Sequence, residues 1–161
     1  MLNKTTIKKY FSNASLNVSE NITFNNSQNY YVYIIANNNT KKIKLFINQK
    51  KSTDCKVTIN CLATNNGIVD IVLVNNGNQN CKISQEINGL IINDGKIFSF
   101  PILAIKSNTV VAQHSINVGG VDKEQIFYLT SKGISPQEST NLIVEKLFEK
   151  IESNEYKTFI K

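Results

Sequence analysis

The chain has 161 residues, of which 41% are hydrophobic and 19% are charged. This length and composition are typical of one globular domain with its own core, and they exclude a largely disordered chain. No apolar run approaches the roughly 18 residues that a membrane span needs, and no apolar stretch follows the lysines of the start MLNKTTIKKYFSNAS. We therefore expect a cytoplasmic protein without a membrane partner.

The net charge of +6 comes from lysine, since the sequence contains no arginine. Residues 121–161 carry six lysines and seven acidic residues, so residues 1–120 carry a net charge of +7. A basic region of this kind is either a solvated lysine surface or a surface for an acidic partner or nucleic acid. The lack of arginine, which makes bidentate contacts to phosphate and guanine, disfavours a nucleic-acid-binding module but keeps it as an alternative.

The first part of the chain predicts strands after a short lead-in segment. Residues 1–28 are polar and weakly patterned, and we expect them to be partly disordered. From residue 29 the chain is typical of β-structure, and residues 68–74 are nearly all apolar, as in a strand covered on both sides. Alternation is clearest over residues 55–61, where one face carries Cys55, Val57, Ile59 and Cys61. Residues 29–120 are therefore the predicted β core.

Asparagine-rich turns separate the predicted strands. Their spacing is uneven, because the step from Asn65 to Asn76 is much shorter than the step from Asn76 to Asn93. The turns therefore predict no strict repeat. The pattern alone is compatible with a β-sandwich or a β-helix, and it favours the sandwich.

Residues 121–161 predict a helical hairpin. Asp122 is placed to cap a first helix and Gly133 to end it. Ser135-Pro136-Gln137-Glu138 has the cap, the proline and the glutamate of a second helix, which we expect to run to about Ile151. A DNA-binding helix-turn-helix is disfavoured, because its second helix would present to phosphates the carboxylates of Glu145, Glu149 and Glu152.

The cysteines and the single histidine are the candidate chemical groups. Cys55 and Cys61 alternate with apolar residues and lack a metal-ligand spacing, so we expect them to be structural, like Cys81. His114 shares an apolar strand face with Ala112, Ile116 and Val118, which is typical of a hydrogen-bonded core or interface histidine. A small hydrolase using His114 is an alternative, although no nucleophile or acid can be placed beside it.

Residues 80–150 carry an ordered series of motifs. The series includes the strand and turn Leu90-Ile91-Ile92-Asn93-Asp94 and the segment Pro101-Ile102-Leu103-Ala104-Ile105. It continues with Gln113-His114-Ser115-Ile116, Gly120, Asp122, Glu124-Gln125-Ile126-Phe127-Tyr128-Leu129 and Ser131-Lys132-Gly133. It resembles the C-terminal part of the SufB/SufD family, scaffold subunits of the Suf machinery that assembles iron–sulfur clusters. The family pattern has a strand ending in His-Gly-Ala or His-Glu-Ala, an Asp, Glu-Gln-Leu-Phe-Tyr and Ser/Gln-Arg-Gly.

The resemblance implies a mainly β fold, a right-handed parallel β-helix with a C-terminal two-helix hairpin, in place of the sandwich. It implies a scaffold subunit that is not an enzyme. The β-helix edge is expected to pair with a SufB/SufD-like subunit, as a heterodimer or a homodimer. A transient iron–sulfur cluster is expected near that pairing, shared with the partner chain, and His114 is the candidate metal ligand.

The resemblance also implies that the hairpin docks a SufC-like ABC ATPase. The expected interface residues are Phe127, Tyr128, Ser131, Lys132 and Gly133. Since Phe127 and Tyr128 are adjacent on a short helix, we expect one to seal the helix to the β body and the other to be an exposed anchor.

This sequence departs from the family pattern at several positions. Ser115 follows the histidine, Lys132 replaces the usual arginine and Ala104 the usual glutamate. The cluster cysteine of SufB-like chains would fall near Glu86 or Ile87, where this sequence has no cysteine. The long N-terminal portion of the family is also missing, so the chain resembles a SufD-like, N-terminally minimal member.

Overall fold

The computed structural model describes residues 5–11 and 15–148. Its strands are β1 Thr5–Phe11, β2 Leu16–Phe24, β3 Gln28–Asn37, β4 Thr40–Gln49, β5 Asp54–Thr64, β6 Ile68–Gly77, β7 Lys82–Ile91, β8 Lys96–Ile105 and β9 Val111–Gly120. Its helices are α1 Lys123–Ser131 and α2 Pro136–Leu147. Within these ranges, neither helix is long and apolar enough to cross a membrane.

The strands form two parallel sheets that the chain visits in turn. Sheet A has the order β1-β3-β5-β7-β9 and sheet B has the order β2-β4-β6-β8. Because every strand pairs in parallel with the strand two places along the chain, the chain winds as a β-helix. The mainly β fold, its parallel β-helix and its two C-terminal helices are thus confirmed, and the sandwich favoured by the pattern alone is wrong.

Neighbouring coils are offset by 27 to 29 positions from β3 onward, and by 23 and 25 positions where β1 pairs with β3 and β2 with β4. Hydrogen-bonded asparagines on neighbouring coils are separated in sequence by 28 or 29 positions. The later coils therefore repeat with a separation that the spacing of the turns did not predict, whereas no strict repeat extends over the whole β-helix. The short step from Asn65 to Asn76 and the long step from Asn76 to Asn93 together make one coil, at the end of which Asn93 donates back to Asn65 across a separation of 28.

The core lies between the two sheets. Cys55, Val57, Ile59 and Cys61 point into it and are fully buried, as predicted. On β6 the inward residues Val69, Ile71 and Leu73 are buried, whereas the outward ones are only half-buried. The prediction that residues 68–74 are covered on both sides is thus wrong, because no second layer lies on the outer face of sheet B in the described chain.

Strands β1 and β2 occupy residues that we predicted to be a partly disordered lead-in segment. The correction extends the β core from residue 29 back to Thr5. Glu20 hides the pattern, because it interrupts an inward row that also contains Leu16, Val18, Ile22 and Phe24. Lys9 of β1 forms an ion pair with Glu20, so a charged pair replaces apolar packing in this first coil. Residues 1–4 and 12–14 lie outside the described chain.

The helical hairpin begins where predicted. The Asp122 side chain accepts a hydrogen bond from the Glu124 amide, and Ser135 and Glu138 form a capping box at the start of α2. Helix α2 runs over Pro136–Leu147. The end that we predicted near Ile151 lies outside the described residues. Val144 and Phe148 are buried against the outer face of sheet A, where they contact a cluster that includes Tyr33, Ile35 and Leu62.

Candidate functional site

The last coil of the β-helix is open. Strands β8 and β9 end their sheets, and in the described chain no further strand pairs with them. Apolar side chains are exposed on this coil: Ile102, Ile105, Val111, Ile116 and Val118. Because an edge strand presents unpaired N–H and C=O groups, this end combines main-chain and apolar contacts that another chain can use.

His114 lies on the inward face of β9. The sheet register places Val57, Gln85 and His114 in one row across β5, β7 and β9. Val57 and Gln85 are buried, but His114 is exposed, because no later coil of the described chain covers it. The interpretation of His114 as a core histidine is therefore wrong, while its role at an interface or as a ligand stays a prediction.

Gln85 is the residue that faces His114, and the sequence analysis missed it. Its side chain is only 1% exposed. Nε2 donates to the Ile102 carbonyl at 3.4 Å, whereas Oε1 is buried without a hydrogen-bond partner among the described residues. Glu86 and Ile87, near which the resemblance places a cysteine, pair instead with Ser115 and Ile116. The sequence signal for Gln85 was a polar residue at a position of β7 where the alternation predicts an apolar, inward-facing side chain.

The three cysteines are buried and free. Burial raises the pKa of the Cys61 thiol to about 12 and also raises the pKa of Cys55. Cys81 Sγ donates to the Lys50 carbonyl at 3.0 Å. Since the thiolate is the form that binds metal, Cys55 and Cys61 are poor ligands, and all three buried cysteines are good core residues.

The donor set of the described residues does not fit a complete cluster site. Across residues 5–11 and 15–148, no three side chains of His, Cys, Asp or Glu lie close enough to hold a metal ion. His114 contributes a single exposed imidazole, and iron–sulfur clusters are held mainly by several thiolates. A cluster at this end would therefore need ligands beyond the described residues.

The five residues expected to bind an ATPase lie together at the C-terminal end of α1. Phe127 is 75% exposed and Tyr128 is 61% exposed. Lys132 Nζ lies 5.6 Å from the centre of the Tyr128 ring, and Ser131 Oγ donates to the Tyr128 carbonyl at 2.7 Å. Gly133, with φ of +86°, ends the helix. The expectation that one aromatic residue seals α1 to the β body is wrong, because both rings face solvent.

A cleft of about 570 Å³ lies between the hairpin and the outer face of sheet A. Helix residues Gln125 and Lys146 line one side. The outer face of sheet A lines the other with an ion pair, Lys56–Glu86 at 2.6 Å, and an amide ladder. In that ladder Asn117 Nδ2 donates to Asn88 Oδ1 at 3.2 Å, and Asn88 Nδ2 to Asn60 Oδ1 at 3.0 Å. The sequence analysis predicted neither this cleft nor its ladder.

Comparison with known proteins agrees with this architecture. Residues 3–147 match the family model of the SUF system FeS cluster assembly, SufBD core domain. No curated protein gives a significant match. Since the family match spans every described strand and helix, the chain belongs to the SufBD core domain family and has a role in iron–sulfur cluster assembly.

Proposed function

We propose that this chain is a non-enzymatic scaffold subunit that pairs with a SufB/SufD-like subunit through its open coil and docks a SufC-like ATPase through its hairpin. The observation that carries the proposal is the uncovered last coil, where edge strands, exposed apolar residues and His114 occur together. The hairpin offers a second surface, formed by the exposed Phe127 and Tyr128 of α1.

Edge pairing suits the open coil for two physical reasons. A partner strand added to β8 or β9 gains main-chain hydrogen bonds along the full edge. It also covers Ile116, which is 44% exposed although its row neighbours Ile59 and Ile87 are fully buried. Pairing therefore buries Ile116 and extends this row of core residues into the partner.

His114 then lies at the border between the two subunits. A neutral imidazole is a competent iron ligand, and the thiolates that a cluster needs are supplied in this proposal by the partner chain. The cluster is the cargo of the complex, which this chain helps to hold while it is being assembled. His114 is the single group that the chain contributes to that shared site.

Docking at the hairpin uses exposed aromatic side chains. Aromatic residues are frequent energetic centres of protein interfaces, and the adjacent Phe127 and Tyr128 stand on a short helix with no buried residue of its own. Lys132 above the Tyr128 ring adds a cation at the same place. This supports α1, rather than α2, as the element that contacts the ATPase, since α2 is occupied by its packing on sheet A.

One experiment with two variants tests both halves of the proposal. The chain is co-expressed with the ATPase and the partner subunit, and the purified complex is analysed for its subunits and its iron. Phe127→Ser with Tyr128→Ser should remove the ATPase and leave subunit pairing intact. His114→Ala should lower the bound iron while all subunits and the activity of the isolated ATPase stay unchanged. Each variant is thus the control for the other.

Substitution is preferable to removal of residues 136–161, because truncation would uncover Tyr33 and Leu62 beneath α2. Phe46→Ser is a matched control for the aromatic variant, since Phe46 is half-buried on the outer face of sheet B, two strands from the open edge. Retention of the ATPase by the double variant would show that it binds elsewhere. Equal iron in the His114→Ala complex, at equal assembly, would return His114 to a structural role at the interface.

A further inference from the structure

The open coil contains a buried amide oxygen that lacks a donor within the described chain. Gln85 Nε2 is held by the Ile102 carbonyl across the lumen, which limits how the amide can turn. Its Oε1 is buried without a hydrogen-bond partner. Buried carbonyl oxygens in folded proteins are nearly always paired, so an orphaned one raises the question of which nearby group can donate to it.

Within sheet A, the register places one side-chain donor beside Gln85. On β7 the inward neighbours of Gln85 are Ile83 and Ile87, and its row neighbour on β5 is Val57, none of which carries a side-chain donor. Its row neighbour on β9 is His114, on an adjacent strand about 4.8 Å away. The imidazole is exposed and can rotate, and a neutral imidazole carries one N–H.

We propose that Gln85 is a positioning residue for His114: its Oε1 accepts the N–H of one imidazole nitrogen and thereby fixes the tautomer and the direction of the ring. The other nitrogen then keeps its lone pair directed out of the open coil, towards the partner. Metal-ligating histidines commonly donate their second N–H to such an oxygen. The significance of the fixed tautomer for iron rests on the function proposed above, whereas the hydrogen bond itself does not.

The hydrogen bond can be tested on the isolated chain. His114 is the single histidine of the sequence, so a ¹⁵N-labelled chain gives one pair of imidazole nitrogen signals without assignment. At a pH where the ring is neutral, the parent should show two well-separated shifts, as for one dominant tautomer. Gln85→Leu should move both shifts towards the tautomer mixture of free imidazole. Unchanged shifts in a folded Gln85→Leu chain would overturn the proposal.

Two further variants make the result specific. Gln113→Leu is the matched control, because Gln113 is next to His114 in sequence but faces outward, where it donates to Ser84 Oγ at 3.4 Å. It should leave the shifts as in the parent. If circular dichroism shows that Gln85→Leu does not fold, Gln85→Met removes the amide with a side chain of similar length.

Iron in the assembled complex separates this inference from the proposed function. Loss of an outer hydrogen-bond partner typically weakens metal binding by about 10–100-fold, so Gln85→Leu should lower retained iron as His114→Ala does. If the tautomer changes but neither variant alters the iron, Gln85 positions His114 and the ligand role fails. If His114→Ala lowers the iron but Gln85→Leu changes neither the shifts nor the iron, the ligand role stands and the positioning role fails.

Discussion

At the scale of single residues, one row of side chains separates the effect of burial from the effect of residue type. Val32, Ile59, Ile87 and Ile116 follow one another across sheet A. The first three are fully buried, and Ile116 is partly exposed only because its coil is the last. Two isoleucines of the same row thus differ in their surroundings and in nothing else.

This row gives the first stability prediction. Ile59→Ala should lower the free energy of unfolding by about 2–5 kcal/mol, since it removes buried methyl groups and leaves a cavity. Ile116→Ala, the matched control, should cost clearly less, because solvent already reaches that side chain. Urea denaturation of the isolated chain measures both. Equal losses would mean that the end coil is as well packed as the centre.

The contribution of Cys61 to stability depends on pH, because burial raises the pKa of its thiol. Its pKa is raised by burial from 9.0 to about 12 in the folded chain. In the unfolded chain the thiol ionises near its ordinary pKa, so from about pH 9 upward ionisation favours the unfolded state. The contribution of Cys61 to stability is therefore fully present below about pH 9 and is lost as the pH rises towards about 12.

Cys61→Ala should flatten this alkaline loss. Urea denaturation between about pH 8 and pH 11 should show a shallower fall of stability in the variant than in the parent. The cavity left by the removed thiol lowers the stability of the variant at every pH, so it does not change this slope. Tyr30 and Tyr33, whose pKa values burial raises to about 12, contribute equally to both chains. Parallel pH profiles would contradict the assignment of the alkaline effect to this thiol.

At the scale of elements, stacked turns join neighbouring coils. Asn93 Nδ2 donates to Asn65 Oδ1 at 2.8 Å, and Asn65 Nδ2 donates to Asn37 Oδ1 at 3.0 Å. Asn65 and Asn93 also have φ of 50° and 53°, in the left-handed region that asparagine tolerates better than most residues. One residue type therefore satisfies the turn and links it to the turns on either side.

Two substitutions at Asn65 separate these roles. Asn65→Gly keeps the backbone conformation and loses both ladder bonds, each worth about 0.5–1.5 kcal/mol. Asn65→Ala loses the same bonds and adds about 1–2 kcal/mol of left-handed strain, so it should be the less stable variant in urea denaturation. A glycine variant as unstable as the alanine variant would mean that strain is negligible at this turn.

The strands show which parts of the fold the sequence could predict. Alternation placed Cys55 to Cys61 correctly, because the side-chain period of two is local. The choice between sandwich and β-helix was not local, since it depends on which strands pair. The repeat that would have decided it was present in the separation of 28 between Asn65 and Asn93, but it was hidden by Asn76, which we predicted to be a turn and which lies within β6.

The candidate site was predictable to a similar extent. The period of two correctly placed His114 on an inward face. The exposure of His114 follows from the position of β9 as the last strand of its sheet, and the residues of β9 do not encode that position. Gln85 became significant only when the register set it opposite His114. On α1 the exposure of Phe127 and Tyr128 depends on α2 taking the space on sheet A, and that competition lies outside the sequence of α1.

At the scale of the whole molecule, the open coil predicts association. Lysine on an inward position of an edge strand opposes edge-to-edge pairing, because pairing would bury its charge. Ile116→Lys should therefore abolish pairing with the partner subunit, or with a second copy, as measured by light scattering after size exclusion. Ile7→Lys, at a 40% exposed inward position of β1 at the opposite end, is the matched control and should leave pairing intact.

The nearly constant coil length from β3 onward also determines how such a chain can change in size. Loss or gain of a single residue within a strand turns every later side chain of that strand inside out, whereas loss or gain of a whole coil restores the same neighbours above and below. Each coil added or removed moves the two ends by one strand spacing, about 4.8 Å. Adding or removing whole coils would therefore change the distance between the two ends of the β-helix in fixed steps. The last coil and the hairpin would keep their structure.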